Sequence, residues 1–101
     1  MPDETDLEVV WTNNALLTAS AIKKYLQLKF SEKEVAFFFS LLKTFEKAIV
    51  LFPELYPVSK RKSKIRRAVL SKNLSVFYRR NNNRMEILAA LDNRMDLSDW
   101  I

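Results

Sequence analysis

The sequence contains no cysteine, no histidine and no glycine. Without cysteine there are no disulfides, no thiolate nucleophile and no cysteine metal site. Without histidine the chain lacks the commonest metal ligand, and any proton transfer falls to Glu, Asp, Tyr, Lys or Arg. We therefore expect neither a metal nor any other cofactor. Without glycine, asparagine must supply the turn positions that require a positive φ.

Long apolar runs are also missing. No run approaches the roughly 18 apolar residues that a membrane-spanning helix needs, and the N-terminus is acidic where a secretion signal has a basic region. We expect a cytoplasmic protein that does not engage a membrane. A chain of 101 residues predicts one domain over residues 1–101, of which residues 1–7 form a frayed lead-in.

The charge is unevenly distributed along the chain. Four acidic residues lie within the first eight, and removing their charges from the net +5 leaves +9 on the remainder. Residues 55–85 carry ten Lys or Arg and no Asp or Glu. This asymmetry predicts an anionic partner: nucleic acid, an acidic protein or an anionic membrane surface.

The same basic region has the pattern of consecutive β-hairpins. Three apolar runs, at 65–70, 74–80 and 85–92, are rich in β-branched and aromatic residues and are separated by the polar turns SKN and NNNR. Such punctuation favours a three-stranded antiparallel meander. We predict that this sheet carries the basic patch.

The N-terminal half is predicted to contain a short strand and two helices. Residues 8–11 are β-prone and suit an edge strand, and the Thr-Asn-Asn cluster that follows suits a helix N-cap. Apolar spacing predicts one helix over 15–30 and a second from Ser31 to about 52, where Pro53 stops it. Ser31 and Glu34 have the spacing of a capping box.

This order of elements predicts an α+β fold. The elements run β-α-α-β-β-β, with an αα hairpin packed on one face of an antiparallel β-meander.

In its motifs and in its predicted order of elements, the chain resembles the RelE/ParE superfamily of type II toxin–antitoxin toxins. The resemblance covers nearly the whole sequence, and its most specific pieces are FPELYP (52–57), KIRRAVLSKNLSVFYRR (64–80) and EILAALDNRMD (86–96). It implies the same fold and a small cytoplasmic toxin that a cognate antitoxin neutralises in a hetero-oligomer. RelE-like members cleave mRNA on the ribosome, whereas ParE-like members inhibit DNA gyrase without acting as nucleases.

The resemblance also implies which residues are candidates for catalysis. Arg66 matches a cationic strand position, and Arg94 matches the arginine that follows the last strand. Ala68 and Ser75 stand where RelE-like enzymes have cations, and Trp100 stands where they have an aromatic hydroxyl. Tyr78 and Glu86 are weaker candidates for moving a proton.

Three functions therefore remain open. The first is a toxin that lacks efficient RNase chemistry and inhibits gyrase or translation. The second is a metal-independent mRNA interferase that uses Arg66 and Arg94. The third is a plain nucleic-acid-binding module.

Several of the candidate site residues also have a competing structural role. These roles are Arg94 paired with Asp92, Asp96 or Asp99, Arg66 paired with Glu46, Tyr78 in the core, and Trp100 packed on the sheet.

Two binding surfaces are predicted. The residues expected to contact the target are Lys60, Arg61, Lys62, Lys64, Arg67, Arg79 and Trp100.

The second surface is expected on the second helix. The Phe37–Phe39 run spans about 200° of the helix circumference, so one ring must lie at the edge of the core. We expect that ring to be Phe37. With Leu41, or with Leu17 of the first helix, Phe37 is predicted to form an apolar groove for an antitoxin helix.

Overall fold

The computed structural model describes residues 7–60 and 64–95. Its elements follow the predicted order and lie within about two residues of the predicted bounds. They are β1 (Glu8–Trp11), α1 (Asn13–Lys29), α2 (Glu32–Leu51), β2 (Arg66–Val69), β3 (Leu74–Asn81) and β4 (Arg84–Asp92).

The four strands form one sheet in the order β1-β4-β3-β2. Strands β2, β3 and β4 are the predicted antiparallel meander, and β1 is an edge strand, as expected. However, β1 pairs with β4 in parallel, so the sheet is mixed and not antiparallel throughout. The apolar pattern of β1 carries no information about the direction of its partner, and the αα hairpin provides the long crossover that a parallel pair requires.

Both helices pack on one face of the sheet. The buried residues of α1 and α2 join the inward side chains of the strands in one core. Because side chains alternate along a strand, every second residue of the sheet faces the helices and the others face away. We call the side away from the helices the outer face. The inward residues of the meander that form the core are Ala68, Leu74, Val76, Tyr78, Met85, Ile87 and Ala90.

A β-bulge in β4 is held by the start of α1. The pairing of β3 with β4 skips Leu88, whose carbonyl accepts hydrogen bonds from Asn14 Nδ2 at 2.9 Å and Thr12 Oγ1 at 3.3 Å. The buried Thr18 Oγ1 accepts from the Ala90 amide at 3.0 Å. The bulge resets which residues of β4 face the core, so α1 and the register of β4 depend on each other.

Local turn and cap chemistry is partly as predicted. Asn82, in the β3–β4 turn, has φ 57°, which confirms that asparagine takes a position otherwise suited to glycine. Thr12 caps α1 by accepting from the Ala15 amide. The capping box predicted at Ser31 is wrong, since no side chain caps α2. The Glu34 amide bonds to the carbonyl of Ser31, at 3.0 Å, and not to its hydroxyl.

Within residues 7–60 and 64–95, neither helix is long and apolar enough to cross a membrane.

Candidate binding surfaces

The basic residues of the sheet are divided between its two faces. Arg66 pairs with the inward Tyr78, whereas Arg67 pairs with Phe77 on the outer face. The same alternation separates Arg79 from Arg80. The prediction that the sheet presents one basic patch is therefore wrong in part, because two adjacent arginines on a strand cannot point the same way.

A groove lies on the outer face beside β2. Its volume is about 650 Å³. We call it the outer groove, and it is lined by Pro57, Val58, Ser59, Lys60, Arg67, Val69, Phe77 and Leu91.

The segment that precedes β2 builds one wall of the outer groove. The Arg67 amide donates to the Pro57 carbonyl at 3.0 Å, and the Ser59 amide donates to the Ile65 carbonyl at 2.6 Å. Val58 and Arg66 form an antiparallel bridge. The connector therefore runs along the edge of β2 almost as a further strand. Pro57 lies beside Arg67, and Lys60 lines the same groove as Arg67.

Lys60 and Arg67 carry charges that the described residues do not neutralise. In residues 7–60 and 64–95, neither side chain forms a salt bridge. Arg67 Nη2 makes a long hydrogen bond to Ser75 Oγ, at 3.4 Å, which leaves most of its donors available. No acidic residue of the described segments lines the groove. These two members of the predicted target-binding set therefore lie together.

Arg66 and Tyr78 lie on the helix side of the sheet. Arg66 Nη1 donates to the carbonyl of Tyr56 at 2.8 Å, so the structure shows this contact and not the pair with Glu46 that we considered. Tyr78 is completely buried, and its hydroxyl donates to the carbonyl of Pro53 at 3.2 Å. Burial is the main cause that raises the pKa of Tyr78. This position fits a core tyrosine, and it holds the hydroxyl away from the outer face.

Arg94 is held by side chains from three elements. Its Nε and Nη2 donate to the two oxygens of Asp92 at 3.0 and 2.7 Å, and its Nη1 lies 3.7 Å from Glu34 Oε2. The guanidinium stacks over the ring of Phe30 at 4.7 Å, and the Tyr25 hydroxyl donates to the Arg94 carbonyl.

The contacts of Arg94 support its structural role. The hydrogen bonds from Arg94 to Asp92 are the main cause that raises the pKa of the guanidinium. The side chain of Asp92 is 2% exposed, so the pair joins the end of β4 to the helices. Asp96 and Asp99, the other partners considered for Arg94, lie outside the described residues.

Glu86 also has a partner, Arg79. Arg79 Nε donates to Glu86 Oε1 at 2.7 Å across β3 and β4, and this hydrogen bond is the main cause that lowers the pKa of Glu86. The predicted catalytic set of Arg66, Arg94, Tyr78 and Glu86 is thus spread over the inner face, the end of β4, the core and the outer face. These four groups do not converge on one point.

The remaining predicted target contacts are only partly described. Lys64 is exposed immediately before β2, whereas Arg61, Lys62 and Trp100 lie outside the described residues. In the part of the chain that is described, no three acidic side chains come together in a way that would hold a metal ion.

A second groove, which the sequence did not predict, lies on the helix side. Its volume is about 650 Å³, and we call it the interhelical groove. It contains two exposed apolar side chains, Leu16 at 53% and Phe39 at 44% exposure. Its lining residues are Trp11, Leu16, Ala19, Ala36, Phe39, Ser40, Leu42, Lys43 and Glu46.

The predicted Phe37 groove forms only in part. Phe37 is 53% exposed, as expected, but Phe39 is also 44% exposed, so two rings of the run and not one lie outside the core. It shares a small cleft with Leu41 and Arg94, but Leu17 does not line that cleft. Phe37 and Phe39 point about 200° apart around α2. The two rings therefore belong to different grooves. The residue in the sequence that indicates the interhelical groove is Phe39 and not Phe37.

Comparisons with known proteins bear on the fold. No protein-family model matches the sequence, and no curated protein matches it. Among solved structures, the fold is similar to that of a chain from the chromosomal ParDE TA system of P. aeruginosa, with a TM-score of 0.73 and 13% sequence identity. The match covers 87% of this chain and 97% of that one. This chain therefore has the ParE-like fold that its sequence resemblance implies.

Proposed function

We propose that this chain is the toxin of a type II toxin–antitoxin module, and that it acts by binding its target without cleaving RNA. One observation carries the proposal. The outer groove presents two cations, Lys60 and Arg67, that form no salt bridge within residues 7–60 and 64–95, while the side chains predicted for catalysis are engaged elsewhere. The ParE-like fold and the sequence resemblance support the same assignment.

Ribosome-dependent cleavage is the alternative. It requires groups that deprotonate the RNA 2′-hydroxyl, stabilise the phosphoryl charge and protonate the leaving oxygen. Arg94 already donates to both oxygens of Asp92, and Tyr78 is buried. Loss of even one charge-stabilising group costs on the order of 10²–10³ in rate. Inhibition of a target such as DNA gyrase fits this arrangement better than cleavage.

The antitoxin is proposed to bind the helix side of the chain. The interhelical groove offers Leu16 and Phe39 to an amphipathic helix with apolar side chains at i, i+3 or i+4, and i+7. The cleft between Phe37 and Leu41 is proposed as a second contact. Leu17, at 70% exposure, remains a candidate only for a contact outside both grooves.

Induced expression of the chain in bacteria tests the toxin assignment. We expect growth to stop, and co-expression of the cognate antitoxin to restore it. Normal growth at a high level of folded protein would contradict the proposal.

Two reactions run in parallel with the purified chain separate the targets: translating ribosomes with mRNA, and DNA supercoiling by gyrase. We expect inhibition of supercoiling and no new mRNA ends. Cleavage of mRNA that disappears in a folded Arg66→Ala/Arg94→Ala variant would establish the interferase instead.

A further inference from the structure

We propose that the outer groove binds an acidic, extended segment of a protein partner, in which an apolar side chain is flanked by carboxylates. This inference rests on the proposed function, because it specifies what the target must present to the groove. It follows from the lining of the groove and from the charges around it.

The floor and walls of the groove are mostly apolar. Five of its lining residues are Pro57, Val58, Val69, Phe77 and Leu91. Val69 is 58% exposed, so it would lose contact with water when a partner side chain enters. Removal of this apolar surface from water is favourable, which favours an apolar anchor.

The rim of the groove is cationic. Among the described residues, Lys60 and Arg67 have no carboxylate partner and no acid lines the groove. The outward acid of β4, Glu86, is already bound to Arg79 at 2.7 Å. A carboxylate from the partner would therefore complete the pairing of Arg67, whose guanidinium suits bidentate contact.

The composition of the groove favours a protein segment over single-stranded nucleic acid. A surface for single strands combines a row of cations along the backbone with several aromatic side chains for stacking. Among residues 7–60 and 64–95, the groove is lined by one aromatic ring, Phe77, and two cations. A second copy of the chain fits poorly, because its outer face would bring Arg67 and Arg84 against like charges.

The test is an array of short extended peptides, in which the apolar anchor is Leu, Phe or Trp and the position of the flanking carboxylates varies. Short single-stranded RNAs are measured beside them by fluorescence anisotropy with the full-length chain. We expect the tightest ligands to be peptides that combine an anchor with flanking carboxylates.

Two variants of the groove test where the peptides bind. Arg67→Gln should weaken the best peptide roughly ten- to a hundred-fold, as expected for a charged hydrogen bond. The matched control is Arg84→Gln, which removes the same charge from an exposed residue of the same sheet. Val69→Ser should also weaken binding, with Leu28→Ser as its control, since Leu28 is 74% exposed on α1.

Three outcomes would overturn the inference: RNA that binds as tightly as the best peptide, no peptide that binds more tightly than its neutral counterpart, or equal effects of Arg67→Gln and Arg84→Gln. Growth arrest separates this inference from the toxin assignment. If the wild-type chain arrests growth and the folded Arg67→Gln and Val69→Ser variants arrest it equally, the groove inference fails and the toxin assignment stands. If the wild-type chain does not arrest growth, the toxin assignment fails.

Discussion

The Asp92 carboxylate depends on Arg94 for its neutralisation, because its side chain is only 2% exposed. Arg94→Met should lower the free energy of unfolding by about 3 kcal/mol. This value is at the low end of the range for breaking a buried ion pair, because the Arg94 side chain is 25% exposed. Urea denaturation measures this loss.

The control for this prediction is Arg84→Met, which removes an exposed arginine and should change stability little. An Asp92→Asn/Arg94→Met variant should recover part of the loss, because the buried charge is gone. A stable Arg94→Met protein would show that Asp92 is satisfied in another way. Arg94 would then again be a candidate for a catalytic role.

Tyr78 should respond to alkaline pH. At neutral pH, Tyr78→Phe should cost about 1 kcal/mol, because the hydrogen bond to the Pro53 carbonyl is lost. Burial raises the pKa of Tyr78 in the folded chain. The protonated hydroxyl therefore contributes its full stability at any pH below 10.0, the pKa of tyrosine in the unfolded chain. This contribution is lost as the pH rises through the higher pKa of Tyr78 in the folded chain.

Unfolding in urea from neutral pH to above pH 10.0 measures this effect. We expect the difference between the wild type and Tyr78→Phe to shrink as the pH rises. A constant difference would mean that the hydroxyl ionises equally in the folded and unfolded chains.

At the level of the elements, Thr18 couples α1 to the bulge of β4. Thr18→Val keeps the shape of the side chain but leaves the buried Ala90 amide without its acceptor. The free energy of unfolding should fall by roughly 1–3 kcal/mol. Thr44→Val, at an exposed position of α2, is the matched control for replacing a helical threonine with valine. Equal effects of the two substitutions would mean that the Ala90 amide finds another partner.

For the whole molecule, the exposed apolar surface has a predictable consequence. Several large apolar side chains on and beside the helices are more than 40% exposed, among them Leu16, Leu28, Phe37 and Phe39. Apolar patches of this kind mark interaction sites or sites of aggregation. We expect the isolated chain to self-associate as its concentration rises in sedimentation velocity experiments.

The interhelical groove should dominate that association. Leu16→Ser/Phe39→Ser should reduce it with little loss of stability, because both side chains are largely exposed. Leu17→Ser/Leu28→Ser removes comparable apolar surface outside the groove and should have a smaller effect. A chain that stays monomeric at every concentration would contradict this prediction.

The order of elements, the meander and its Asn82 turn followed from the sequence alone, because each is set by local periodicity and turn chemistry. The contacts of the charged side chains did not. Arg94 and Asp92 are two residues apart, so the sequence suggests them as a pair. The contacts of Phe30 and Glu34 with Arg94, however, depend on how the helices cross the sheet.

Tertiary structure also decided where the target and partner surfaces lie. A sequence shows that Arg66 and Arg67 are adjacent, whereas only the register of β2 shows that one faces the core and the other faces the outer groove. The parallel pairing of β1, the path of the connector beside β2 and the groove that Leu16 and Phe39 line together all join distant segments of the chain. Local patterns specify each element, but the faces that meet depend on how the elements pack together.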